Sequence, residues 1–185
     1  MNRRKFIAYS GSALIAASSW AMVRSLWQLE SVEREKVPAD AVGLAPEMAD
    51  ILYLAALAPS GHNAQPWTVQ IMNGKHWIIG TNHSRWLPAV DPDNREMMIS
   101  IGAFLENLAI AASGKGYEAE MKIMAQSAKE QAIAAVTLHP TGHAGHPLLP
   151  QIELRRTLRS NLLIRELSPE DISWITRGYP GDAFY

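Results

Sequence analysis

The chain has 185 residues, a formal net charge of −1, a sequence pI near 6.6 and no cysteine. It lacks the basic field that nucleic acid requires of a partner, and the missing thiols exclude disulfide staples, Cys-ligated zinc, iron–sulfur clusters and thiol catalysis. With 48% hydrophobic and 19% charged residues, there is material for one compact domain stabilised by its core.

In chain order, Asn2-Arg3-Arg4-Lys5-Phe6-Ile7 is a basic start, and an apolar, small-residue run follows from Ala8 to Val23. That layout predicts an export signal over residues 1–29, and its paired arginines resemble the twin-arginine class. Ser19-Trp20-Ala21 is a poor cleavage site. Uncleaved, the run is a membrane anchor only marginally long against the ~20 apolar residues of a span. The expected location is therefore periplasmic, or anchored to the outer face of the inner membrane, with membrane contact through the N-terminal segment alone. Residues 30–44 are charged, hold Pro38 and lack an apolar period, so they read as a linker. Residues 45–185 form the expected domain.

Ala45-Pro46-Glu47 opens a helix that carries Met48, Ile51, Leu52 and Ala55 and ends at Pro59. Trp67 to Met72 and Lys75 to Gly80 flank Asn73-Gly74, a strong hairpin signal. Arg95 to Lys115 is the longest periodic segment and predicts the central buried helix. Tyr117 to Met124 and Ala132 to His139 read as strands, Pro140 to Pro150 as a loop and Ile152 to Leu158 as a short helix. Ser168-Pro169-Glu170-Asp171 caps a last helix through Ile175. The predicted fold class is α+β, with helices packed on an antiparallel sheet.

Between the first helix and the first strand stands Ala58-Pro59-Ser60-Gly61-His62-Asn63-Ala64-Gln65-Pro66-Trp67. Proline fixes φ, glycine permits φ > 0, and Ser and Asn bond nearby backbone, so the run reads as a rigid polar loop of the kind that holds ligands. Its wording resembles the loop that nitroreductase-family flavoproteins place against FMN. Arg85-Trp86-Leu87, Asp91-Pro92-x-x-Arg95-Glu96, Ser100-x-Gly102-Ala103 and Asn107-Leu108 extend that resemblance. Together they are similar to the exported, duplicated nitroreductase-like branch that includes the mycobacterial Acg proteins. Arg155-Arg156-Thr157-x-Arg159 resembles the basic cluster that this family uses near the flavin phosphate. The match runs over roughly residues 45 to 165, so the chain looks like the N-terminal half of a duplicated member, with an incomplete second repeat.

The resemblance implies an FMN-dependent oxidoreductase that passes hydride from NAD(P)H to a nitro or quinone-like acceptor. It puts Pro59, Ser60, Gly61, Asn63 and Gln65 at the flavin ring, and Arg155, Arg156 and Arg159 at the phosphate, where arginine gives bidentate bonds. On a helix, Arg155 and Arg159 would share a face. The residues alone leave a solvated basic helix end equally open. A single copy does not obviously enclose a flavin, so self-association or a partner chain is expected to supply the missing wall. The alternative is a non-catalytic flavin-binding or sequestering module, or a truncated degenerate fragment. No catalytic residue is assigned: His62 reads as a surface or structural histidine, and Asp91, Arg95 and Glu96 as helix capping and an Arg pair. No metal is assigned to His139, His143 and His146, which sit in a Pro- and Gly-marked stretch.

Overall fold

The computed structural model of the protein describes residues 43–158, 160 and 164–177. The predicted signal, all but the end of the linker, and Arg159 lie outside the described residues. The first helix, α1, runs Pro46–Ala56, with Pro46 in its first turn and Met48, Ile51, Leu54 and Ala55 buried at helical spacing. A hairpin follows, formed by β1 (Trp67–Asn73) and β2 (His76–Thr81). The long helix α2 (Arg95–Gly114) leads to β3 (Tyr117–Ile123) and β4 (Ala132–Pro140). Two short helices, α3 (Leu149–Leu154) and α4 (Pro169–Thr176), complete the described chain.

The four strands form one antiparallel sheet in the order β1-β2-β4-β3. Register puts Ile71, Trp77, Val136 and Met121 in one row, and Val69, Ile79 and Ala134 in the next. Because side chains alternate across a strand, these rows share the face on which α1 and α2 lie. Trp77, Ile79, Val136 and Leu138 meet Ile51, Ile101, Phe104 and Leu108 in a single core. The architecture is α+β, helices on an antiparallel sheet. Although α2 is long and apolar enough to span a bilayer, its apolar stripe faces this core, with Ile101, Phe104 and Leu108 each at most 1% exposed.

Polar bonds fix the helices in place. Asp91 is buried, and its Oδ2 accepts from the Met97 N–H at 2.9 Å, which satisfies an orphan donor in the first turn of α2. Lys115 at the far end bonds Asp50 Oδ2 at 2.6 Å, tying α2 to α1. Tyr117 donates to Glu47 Oε1 at 2.8 Å, and that bond raises the phenol pKa above its ordinary value. Ser168 and Asp171 exchange bonds in a capping box at the start of α4, as the sequence predicts.

Two local expectations change. The hairpin pairs Asn73 with His76, so its turn falls on Gly74-Lys75, one residue later than Asn73-Gly74. Neither Asn73 nor Gly74 has a positive φ; Asn73 instead accepts from the Lys75 N–H at 3.0 Å, and a register shift sits between Ile71 and Asn73. The predicted helix over Ile152 to Leu158 is shifted as well. The helix starts at Leu149, with Pro150 in its first turn, and Arg155 leaves helical geometry at ψ 134.

Candidate functional site

The polar loop bridges α1 and β1, and its backbone is unusual. His62, Asn63 and Gln65 have φ of 51°, 55° and 48°. Left-handed geometry costs an ordinary residue about 1–2 kcal/mol, with Asn and His more tolerant than Gln. Such a conformation persists only where the surroundings over-determine it, and the surroundings here are explicit. The Gly61 N–H donates to Ser100 Oγ at 3.1 Å, while the Ser100 hydroxyl donates to the Glu96 carbonyl at 2.8 Å. Within the loop, the Gln65 N–H donates to Ser60 Oγ at 3.0 Å. Arg85 Nη1 reaches over to the carbonyls of Ala64 and Gln65 at 3.2 and 3.3 Å. The loop's exit is fixed by Trp67, whose ring lies 5.2 Å from that of Phe104 on α2.

The Glu96 side chain of α2 lies close to Gly61. A Cβ on Gly61 would stand 2.8 Å from Glu96 Oε2, too near for a carboxylate to remain there. Beside this contact opens a shallow cleft of about 200 Å³, lined by Pro59, Ser60, Gly61, Glu96, Ile99, Ser100 and Ala103. A small neighbouring void is bounded by Gly61, Arg85, Trp86, Asp91 and Glu96, among others.

At the other side of the loop, α1 ends without a glycine cap, and its last carbonyls need donors. Asn107 Nδ2 donates to the Leu54 carbonyl at 3.3 Å, and Arg155 Nη2 to the Leu57 carbonyl at 3.1 Å. A cation at a helix C-terminus also suits the helix dipole. Arg155 Nη1 donates to Thr157 Oγ1 at 3.3 Å.

Of the residues singled out from the sequence, Pro59, Ser60, Gly61, Asn63 and Gln65 share one loop, with Pro59 and Asn63 exposed and Ser60, Gly61 and Gln65 half-buried. Arg155 comes beside the start of that loop, two residues before Pro59. Arg156 does not: its Nη1 donates to the carbonyls of Glu153 and Arg155, at its own helix end. Arg159 lies outside the described residues. Arg155 lies beyond the end of α3 and is not on a helical face. His139 pairs with Glu120 at 2.8 Å, and His146 Nδ1 accepts from the Leu148 N–H at 3.2 Å. Among the described residues, no three of His, Asp and Glu are grouped to hold a metal ion.

Sequence reasoning quoted Ser100, Arg85 and Glu96 as landmarks without giving them a place at the loop. Their only signal was position within the matched motifs. No periodicity reveals that Ser100, 39 residues downstream, accepts from Gly61.

No family model matches the chain. Over 99 residues it is 32% identical to an uncharacterized protein of Mycobacterium tuberculosis (strain ATCC 25618 / H37Rv), covering 52% of this chain and 29% of that protein. Over 111 residues it is 29% identical to another protein of that strain, named "Putative NAD(P)H nitroreductase", covering 59% of this chain and 32% of that one. The chain thus spans less than a third of the length of these curated relatives. Among solved structures, a nitroreductase-like protein from Streptococcus mutans aligns with a TM-score of 0.43 at 16% identity, covering 71% of this chain and 89% of its own. A Desulfovibrio desulfuricans structure, titled as a nitroreductase in complex with FMN, aligns with a TM-score of 0.42 at 18% identity, covering 80% of this chain and 97% of its own.

Proposed function

We propose that the protein is an FMN-dependent oxidoreductase of nitroreductase type, moving hydride from NAD(P)H through flavin to a nitro or quinone-like acceptor. The observation that carries this reading is the Pro59–Pro66 loop, held in left-handed geometry at three non-glycine residues by Ser100, Ser60 and Arg85. Asn94 shows that one left-handed residue can serve a plain helix start; it is the clustering of three in this loop, in the segment that resembles an FMN loop, that supports the reading. The 29% identity to a chain named for nitroreductase activity agrees with it.

The loop's donor set suits a flavin ring edge. Ser60 Oγ accepts from Gln65 and keeps its own proton to donate; Asn63 carries an exposed amide with both donor and acceptor. Gly61 lets a flat group approach the backbone. When bound, FMN supplies the hydride chemistry at its N5. The chain's part is to hold and orient the ring. Arg155, at the start of the loop, and Arg159 are the residues assigned to the phosphate. A second copy of the chain, or a partner chain, completes the pocket. Export by the twin-arginine route belongs to the same reading and rests on Arg3 and Arg4.

The alternative is a non-catalytic flavin-binding module or a degenerate fragment, and one observation weighs against the phosphate assignment and toward the fragment. The guanidinium groups of Arg155 and Arg156 bond backbone carbonyls of their own chain. Titration with FMN, followed by flavin fluorescence, tests both. Binding is expected to be weak and to tighten at concentrations where the chain self-associates. The Arg155→Ala, Arg159→Ala variant should lose about ten- to a hundredfold in affinity, as for loss of charged hydrogen bonds. Turnover of NAD(P)H with a quinone by the loaded protein separates the enzyme from the binding module. Absence of binding at self-associating concentrations overturns the flavin reading.

A further inference from the structure

The cleft beside Gly61 has one charged group in its wall. Pro59, Ile99 and Ala103 give it apolar surface, Ser60 and Ser100 give hydroxyls, and Glu96 supplies a carboxylate. Glu96 Oε2 lies 2.8 Å from where a Cβ on Gly61 would stand, so the charge sits beside the loop that lines the cleft. Among the described residues, no basic group forms an ion pair with Glu96. Asp91 is a second carboxylate, buried and engaged with the Met97 N–H at the start of α2, where it already meets the positive end of the helix dipole. Arg85 shares the lining of the small neighbouring void with Glu96, but its Nη1 is engaged with the carbonyls of Ala64 and Gln65.

We infer that Glu96 selects ligand charge in this cleft, which takes a compact aromatic ring bearing a positive group and disfavours the anionic analogue. The cleft shares Pro59, Ser60 and Gly61 with the place proposed for the flavin ring, so its meaning for an acceptor rests on that reading and on the ring leaving the Glu96 side of the cleft open. The preference itself rests on the cleft. Glu96 is exposed and water screens it, so the discrimination is modest, about three- to tenfold between a cation and an anion of the same shape.

The test uses the full chain labelled with nitrogen-15, titrated at low salt with (4-nitrobenzyl)trimethylammonium and, separately, with 4-nitrobenzoate. The amide signals of Gly61 and Ser100 report occupancy. The cation is expected to bind about three- to tenfold more tightly, with the preference shrinking in 1 M salt, where the screening length is about 3 Å. It should vanish in Glu96→Gln and reverse in Glu96→Lys. Equal affinities, a preference unchanged by salt or by Glu96→Gln, or no response at Gly61 and Ser100 to either probe would overturn the inference. If the variants fail to fold, the salt dependence of the wild type decides. Adding FMN to the same samples separates the two proposals. A charge preference without flavin binding sinks only the flavin reading, and flavin binding without a charge preference sinks only this one.

Discussion

Two regions were assigned to the same cofactor by resemblance, and they are built very differently. The loop from Pro59 to Pro66 is tied to α2 through Ser100, to the segment after β2 through Arg85, and internally through Ser60. Beyond α3, Arg155 makes the long-range bond to Leu57, and the apolar side chains that follow face solvent: Leu158 is 72% exposed, Leu167 56% and Trp174 71%. A ligand-holding element must keep its geometry before the ligand arrives. The first region does so by several independent constraints. In the second, Arg155 ties the segment to the end of α1, so the geometry it offers a phosphate is coupled to that bond.

The largest effect should separate the regions by stability. Phe104 is 1% exposed and lies under Trp67 at the loop's exit, so Phe104→Ala should cost about 3–5 kcal/mol in reversible urea unfolding. Trp174→Ala, at an exposed position on α4, should stay within about 0.5 kcal/mol. A comparable loss for both would mean that α4 is covered in solution, and the contrast would collapse.

A smaller effect divides the basic cluster. Arg155→Ala removes the donor to the Leu57 carbonyl and should cost about 1–2 kcal/mol of stability. Arg156→Ala touches only exposed bonds to nearby carbonyls and should change stability by less than about 0.5 kcal/mol. Similar values would show that Leu57 is satisfied without Arg155. The capping role and the phosphate role of Arg155 would then be separable.

What could be read from the sequence follows from how local each signal is. The α2 stripe, the capping box at Ser168 and the pairing of the two hairpin strands depend on residues a few positions apart, and each has its place in the fold. The turn moved by one residue because Asn73 caps the turn with its side chain instead of entering left-handed geometry. The helix expected over Ile152 to Leu158 shifted for another reason. Pro150 suits a first turn, which starts α3 early, and Arg155 is drawn out of the helix to Leu57, 98 residues away in sequence. Tertiary bonds of that range leave no periodic trace. The same holds for Ser100 and Glu96, whose place at the loop depends on how α2 crosses it.

The smallest effect bears on why the loop is strained. Gln65, unlike His62 and Asn63, belongs to no residue type that favours positive φ, yet it sits at φ 48° between Ala64 and Pro66. Its N–H bond to Ser60 and the Arg85 bond to its carbonyl are backbone interactions, so they survive a change of side chain. Gln65→Gly therefore removes a left-handed penalty of about 1–2 kcal/mol and adds back about 0.5–1 kcal/mol of chain entropy. The net expectation is a gain of about 0–1.5 kcal/mol in urea unfolding. If the strain serves to hold the loop for a ring, the same variant should bind FMN more weakly, because a glycine leaves the backbone free to relax. A loss of stability instead would assign the geometry to packing of the half-buried Gln65 side chain. Greater stability with unchanged FMN affinity would leave the strain without a functional part, since an element that can relax and still bind was never held in tension for its ligand.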